Sequence, residues 1–150
     1  MAYAKSIEEV ADLLVTKLTN NSTLLGIQGV FYGDQNLLPA TPVICVEPDV
    51  KDVSITPFRL INADISIYLI IYHSAVTSGQ TNSRNADIMA QAVEDLIHAD
   101  KQLLRGDGTA SVIHCYIAKT AAGYVKKGTG TIRASRLTFT AKTQYQLPNT

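Results

Sequence analysis

Three histidines and two cysteines are the side chains best suited to metal binding or nucleophilic chemistry, and their spacing argues against both. His73, His98 and His114 are scattered. None has a ligand partner at helical spacing such as i and i+4, and His114 and Cys115 are adjacent, so on a strand their side chains point to opposite faces. A cysteine nucleophile at Cys45 would need a neighbouring histidine and an orienting Asn or Asp. Neither a glycine-rich elbow nor an oxyanion loop accompanies it. Glu8 with Glu9, and Glu94 with Asp95, are carboxylate pairs on amphipathic segments, where a solvated helix face is the simpler reading than acid/base work. His98, late in its helix, reads as a partner for the helix dipole. The run Lys126-Lys127-Gly128-Thr129-Gly130-Thr131 has the glycines of a phosphate loop, but it lacks the Gly-Lys-Ser/Thr order and no helix follows. It reads as a hairpin tip. Its cations remain notable, because Lys126, Lys127, Arg133 and Arg136 gather four positive charges with no acid between them. They are candidates for contact with a neighbouring subunit or with a DNA backbone. No catalytic residue, cofactor or metal ligand is expected.

The elements that position these residues follow from periodicity. Ser6-Ile7-Glu8-Glu9 forms a capping box, and Ile7, Val10, Leu13, Leu14 and Leu18 make one apolar stripe before Asn20-Asn21 ends the helix. Val30-Phe31-Tyr32 reads as a short strand into a turn. Pro42 to Val46 reads as a second strand whose flanking prolines, Pro39, Pro42 and Pro48, suggest an edge position. Asp49 to Pro57 reads as an exposed connection. From Arg59 to His73, Ile61, Ala63, Ile65, Ile67, Leu69 and Ile71 alternate with more polar residues, the signature of a central strand. Ser74 to Asn82 is polar and leads to a second helix at about 83–99, capped by Asn82 or Ser83, with Ile88, Met89, Ala92, Val93, Leu96 and Ile97 inward. Val112 to Lys119 is a further strand, Ala121 to Thr131 a turn-rich hairpin region. Leu137, Phe139, Ala141, Thr143, Tyr145 and Leu147 line one face of a long last strand, which begins as early as Thr131.

The expected fold is α+β: a mainly antiparallel sheet with two helices packed on it and a projecting β-hairpin, forming one domain over residues 1–150. Strands of about 15 to 17 residues reach roughly 50 to 55 Å, against about 38 Å for a compact chain of this length. Such strands bend, bulge or project. A projecting hairpin exposes backbone groups that invite strand addition by another chain.

The composition is globular, 46% hydrophobic and 17% charged. No secretion signal or membrane-spanning run is visible in it. Cys45 and Cys115 lie in apolar strand-like runs and read as core thiols of a reducing compartment. A disulfide between them is open only if their strands are neighbours. A net charge of zero conceals a division: residues 1–100 carry 5 Lys/Arg and 12 Asp/Glu, whereas residues 101–150 carry 8 Lys/Arg and one acid, Asp107. Such a chain suits either a polyanion or head-to-tail contact between copies.

The order of elements resembles the tail terminator (tail-completion) proteins of tailed bacteriophages. The resemblance is carried by Ser6–Leu18, Val30-Phe31-Tyr32-Gly33-Asp34, Pro42-Val43-Ile44-Cys45-Val46-Glu47-Pro48, Asp64–His73, the helix at about 83–99 and Arg136–Leu147. It implies a virion protein that forms a homo-oligomeric ring, commonly a hexamer, on the head-proximal end of the tail tube. Such a ring stops tube polymerisation, contacts the tail tube protein and the neck or connector protein, and lets DNA pass without specific binding. It implies assembly in the host cytoplasm and no membrane partner. Another neck or tail-tube component is the nearest rival within that class, and two other classes are weighed beside it, a basic-hairpin nucleic-acid module and a small enzyme with no familiar motif.

Overall fold

The computed structural model describes residues 2–35, 41–75, 79–127 and 130–148. Helix α1 (Ile7–Asn20) starts at Ser6, whose hydroxyl accepts from the Glu9 amide at 3.1 Å. The reciprocal arm of the capping box is diverted, because the Glu9 carboxylate takes Arg105 at 3.2 Å instead. Val10, Ala11, Leu14 and Leu18 are fully buried along the expected stripe. After Asn21 the chain adds a turn that the sequence reading missed, α2 (Ser22–Leu25), closed by Gly26 at φ 74°. That left-handed conformation suits glycine.

Five strands follow: β1 (Gly29–Tyr32), β2 (Val43–Ile55), β3 (Leu60–Ala75), β4 (His114–Lys127) and β5 (Gly130–Gln146), with α3 (Gly79–His98) between β3 and β4. They form one mixed sheet in the order β1-β2-β3-β5-β4, in which only β1 against β2 is parallel. This is the α+β architecture expected, with the central strand placed correctly.

The differences lie where the sheet outruns the helices. Asp49 to Ile55 is the second half of β2, paired with Leu60-side residues of β3 as far as Ile55 opposite Ile61, and not an open connection. Its residues are mostly exposed, so the contrast between buried and solvated positions that marks a strand in sequence is missing. Pro48 is tolerated because β1 stops pairing at Val46 and the ladder to β3 shifts register between Pro48 and Val50. Likewise Ala121 to Lys127 continues β4 instead of turning. The expected tip, Gly128 and Thr129, lies outside the described residues. Helix α3 begins at Gly79, which puts Asn82 and Ser83 inside it rather than at its cap. Ile88 is 68% exposed, because the inward stripe is Ala86, Ala90, Val93 and Ile97. Two alanines on that stripe let the helix approach the sheet closely.

Both helices lie on one face of the sheet. There Ile44, Val46, Ile65, Ile67, Leu69, Ile71, Leu137, Phe139 and Ala141 join the helix stripes in the main core. Val43, Cys45, Tyr72 and Ala134 form a smaller cluster on the other face. Cys45 and Cys115 belong to opposite faces and stand on strands separated by β3 and β5, so no disulfide joins them. Replacing Phe139 with Ala should cost about 3–5 kcal/mol, read as a fall in the urea midpoint. The same truncation at Ile55, on the projecting end, should cost no more than about 0.5 kcal/mol.

Candidate assembly surfaces

Strand alternation decides what the four grouped cations can do together. Tyr124 pairs with Arg133 and Lys126 with Thr131, so these share the face that carries α3. There the Arg133 guanidinium lies 5.2 Å from the Tyr124 ring centre and 3.8 Å from the Asp87 carboxylate, with its side chain 13% exposed. Arg136, an odd number of residues further on, points to the opposite face and stacks 4.6 Å over the Tyr68 ring. Lys126 is exposed, and Lys127 pairs in register with Gly130, its side chain lying outside the described residues. The four residues are contiguous as a run of charge but do not form one patch.

The division of charge along the chain also folds partly back on itself. Glu9 meets Arg105 at 3.2 Å, Asp87 meets Arg133 at 3.8 Å and Asp64 meets Lys142 at 4.0 Å, each joining the acidic part to the basic part. The remaining exposed charges are mixed, with Lys5 on the α1 and β2 side and Asp87 and Asp95 on α3, but two groups stand out. On the α1, β1 and β2 side are Glu8, Asp12, Asp49 and Asp52, and on β4 are Lys119 and Lys126. The phenol of Tyr32, on β1, registers the acidic side: burial first, then Glu8, Asp12 and Glu47, raise its pKa.

Beyond α1, strands β2, β3 and β5 continue as a three-stranded arm. Its turn is held by the Leu60 amide on Thr56 Oγ1 at 3.3 Å and by the Leu147 amide on the Arg59 carbonyl at 2.8 Å. Lys51 braces its base, donating to the Tyr145 hydroxyl at 2.6 Å and to the Lys5 carbonyl. Val53, Ile55 and Phe58 on this arm are 58%, 67% and 84% exposed. Val53 and Ile55 lie two residues apart on one face of β2, so their exposed apolar side chains are displayed together.

The residues scanned for chemistry are occupied structurally. His98 Nε2 accepts the Ile117 amide at 3.0 Å, a role that a dipole-complementing imidazolium could not fill, so it pins the end of α3 to β4. Burial pushes the Cys115 thiol up to about 11, with Asp100 adding to the shift, and its Sγ donates to the Asp100 carbonyl at 3.4 Å. His114 stacks beside Tyr116. One pairing was invisible in the sequence: buried His73 Nε2 lies 2.9 Å from Ser135 Oγ. The available signal was a serine at an otherwise apolar, helix-facing position of β5. Ser135 also lines a cavity of about 300 Å³ with Asp87, Glu94 and Thr120. It sits mid-strand, paired to β3 at Ile71 and to β4 at Ala122, so the surrounding amides serve the ladder and do not converge as an oxyanion hole. No group of three or more His, Cys, Asp or Glu side chains is placed to hold a metal among the described residues, and no catalytic motif is found there. No described helix is long and apolar enough to cross a membrane.

No family model matches the chain. No curated protein matches it either. Among solved structures it matches a chain from the virion of a native gene transfer agent (GTA) particle, at a TM-score of 0.57 and 16% identity, over 90% of this chain and 94% of the other. The two chains share a fold over nearly their whole lengths.

His73 carries a testable electrostatic signature. Burial, and secondarily Arg133, hold its pKa down at about 4, while Asp87 opposes the shift. The unfolded chain therefore binds more protons than the native one between about pH 6.5 and pH 4, so stability should be level above that window and fall as pH drops through it. The contribution is about 2–3 kcal/mol at its limit. Urea titrations at pH 7 and 4.5 should show this loss, and His73→Gln should remove most of it. An unchanged pH dependence in the variant would assign the loss to carboxylates.

Proposed function

We propose that the chain is a virion structural protein of the tail terminator type. In this reading it acts as one domain whose copies close into a ring, expected to be a hexamer, on the head-proximal end of the tail tube. The ring ends tube polymerisation and joins tail to neck, with DNA passing through it unread. The tail tube protein and a neck or connector protein are its partners, and the tail of the virion is its destination after assembly in the host cytoplasm. One observation carries the reading: the fold is that of a virion chain over 90% of this sequence, with the TM-score of 0.57 given above.

Three surface features support it. The arm exposes Val53, Ile55 and Phe58 where an isolated domain has no use for them. Exposed Glu8, Asp12, Asp49 and Asp52 lie on the α1 and β2 side and exposed Lys119 and Lys126 on β4, which suits head-to-tail contact between two different patches of each copy. The ionisable residues that a catalyst would need are instead buried or engaged in holding elements together. Lys126, Lys127, Arg133 and Arg136 are proposed as contacts to an adjacent subunit rather than to DNA, since Arg133 and Arg136 face opposite sides.

Light scattering over a concentration and salt series, followed by negative-stain microscopy, tests the reading. Closed rings, or a monomer that closes into rings as concentration rises, are expected. A strict monomer that retains DNA with steep salt dependence, and loses it when Lys126 and Lys127 are reversed to Glu, would replace the ring with a nucleic-acid module.

A further inference from the structure

Among the described residues, two stretches of strand have a side with no strand partner, and they differ in charge and in place. Strand β4 ends the sheet order. The first part of its outer side is closed by the end of α3 and the loop after it, through the Cys115 amide on the Lys101 carbonyl at 2.7 Å and the Ile117 amide on His98 Nε2 at 3.0 Å. From Lys119 to Lys127 its only strand neighbour is β5. On the far side of the sheet, β1 pairs with β2 from Val43 to Val46, and from Val50 to Ile55 the only strand neighbour of β2 among the described residues is β3. The open part of β4 carries exposed Lys119 and Lys126, while the open part of β2 carries exposed Asp52, follows exposed Asp49, and displays Val53 and Ile55.

We infer that the open edge of β2 in one copy pairs with the open edge of β4 in the next, making one continuous sheet across the subunit boundary. The inference rests on the ring reading and names its interface. Direction permits it: β2 runs antiparallel to β3, β3 to β5 and β5 to β4, so β4 against the β2 of a neighbour is an antiparallel pair. Charge favours it, because setting Gly123 opposite Asp52 in an antiparallel pair sets Lys126 opposite Asp49.

Geometry adds an independent condition, closure. The middle of the open β4 stretch, Gly123, is level with Ala134, Tyr72 and Val43, whereas the middle of the open β2 stretch, Asp52, is level with Asp64, eight residues from Tyr72 along β3. For the edges to meet, each copy must slide by about 26 Å along the strands, at about 3.3 Å per residue. Between those two edges each copy contributes four strands, β2-β3-β5-β4, or about 19 Å, because β1 reaches only Val43 to Val46. That stagger tilts the strands by about 54° to the ring axis, steeper than the 35–45° typical of closed barrels. Two open edges at the same level would have given a flat, untilted ribbon.

Complementary charge reversal tests the pairing on the full chain. One variant carries Lys119→Glu and Lys126→Glu, and the other Asp49→Lys and Asp52→Lys, all four positions being exposed. Each alone should self-associate at least about tenfold more weakly than the wild type, since like charges then face each other across the pair. An equimolar mixture should assemble again, because the acidic β4 of the first variant meets the basic β2 of the second. Recovery in the mixture also shows that both variants are folded. If each variant alone still forms rings, the edge pairing is wrong while the ring reading stands. If the mixture stays apart although both variants keep the native circular dichroism, the pairing is likewise overturned. A wild type that is monomeric at every concentration overturns the pairing and the ring together.

Discussion

Seventeen residues of extended β5 reach about 56 Å, whereas the 14 residues of α1 and the 20 of α3 span about 21 and 30 Å of helix. Two helices of that length cannot cover a sheet of such strands, and much of the rest of the molecule follows from the mismatch. The main core sits where helices and sheet overlap, around Ile67, Leu69, Leu137 and Phe139. At one end β2, β3 and β5 continue as an arm, and at the other β4 and β5 continue as a hairpin toward Lys127 and Gly130. Register shifts at Pro48/Val50, Tyr72/Ala75 and Ile117/Lys119 accommodate that length, each adding local twist to a ladder too long to stay regular.

The same mismatch governs what could be read in advance. Strand β3 and the middle of β5 were legible because one face meets helices, so apolar and polar residues alternate sharply. The stripe of α1 was legible for the same reason. The second halves of β2 and β4 were not, since residues such as Asp49-Val50-Lys51-Asp52 are solvated on both faces and the period-2 contrast vanishes. A polar opening concealed the start of α3, and its inward face was misassigned at Ile88 because Ala86 and Ala90 take the buried stripe there, ahead of Val93 and Ile97. The grouped cations were legible as charge but not as surface. Residues 133 and 136 differ by an odd number, and in a strand that alone sends them to opposite faces.

Buried ionisable groups in this fold work as fasteners. His98 and Cys115 hold the end of α3 and its following loop to β4, while Lys17 reaches Asp100 at 3.1 Å to bind the same region to α1. His73 and Ser135 satisfy one another between β3 and β5. A buried polar group left without a partner costs roughly 1–3 kcal/mol, so such pairs are what permit histidine and serine at helix-facing positions. A nucleophile would need the reverse arrangement, a sharp turn that lifts the hydroxyl away from its ladder and frees amides beside it.

Closure of the sheet edges is selective, and the selection is the strongest link between fold and proposed assembly. Bare strand edges promote aggregation, and soluble proteins ordinarily cover or blunt them. Here Cys115 and Ile117 have their outward amides bonded by the α3 region, and Val43 to Val46 are covered by β1. The covering stops at Lys119 on one side and before Val50 on the other. A lysine on an open edge is itself a protective device against indiscriminate pairing. Matched to Asp49 beside the other open edge of the same chain, Lys126 becomes a selector: two β4 edges set lysines together, whereas the unlike pair sets a lysine against an acid. That rule disfavours dimers through two β4 edges and favours head-to-tail propagation, which closes when the stagger per copy matches the tilt of the strands.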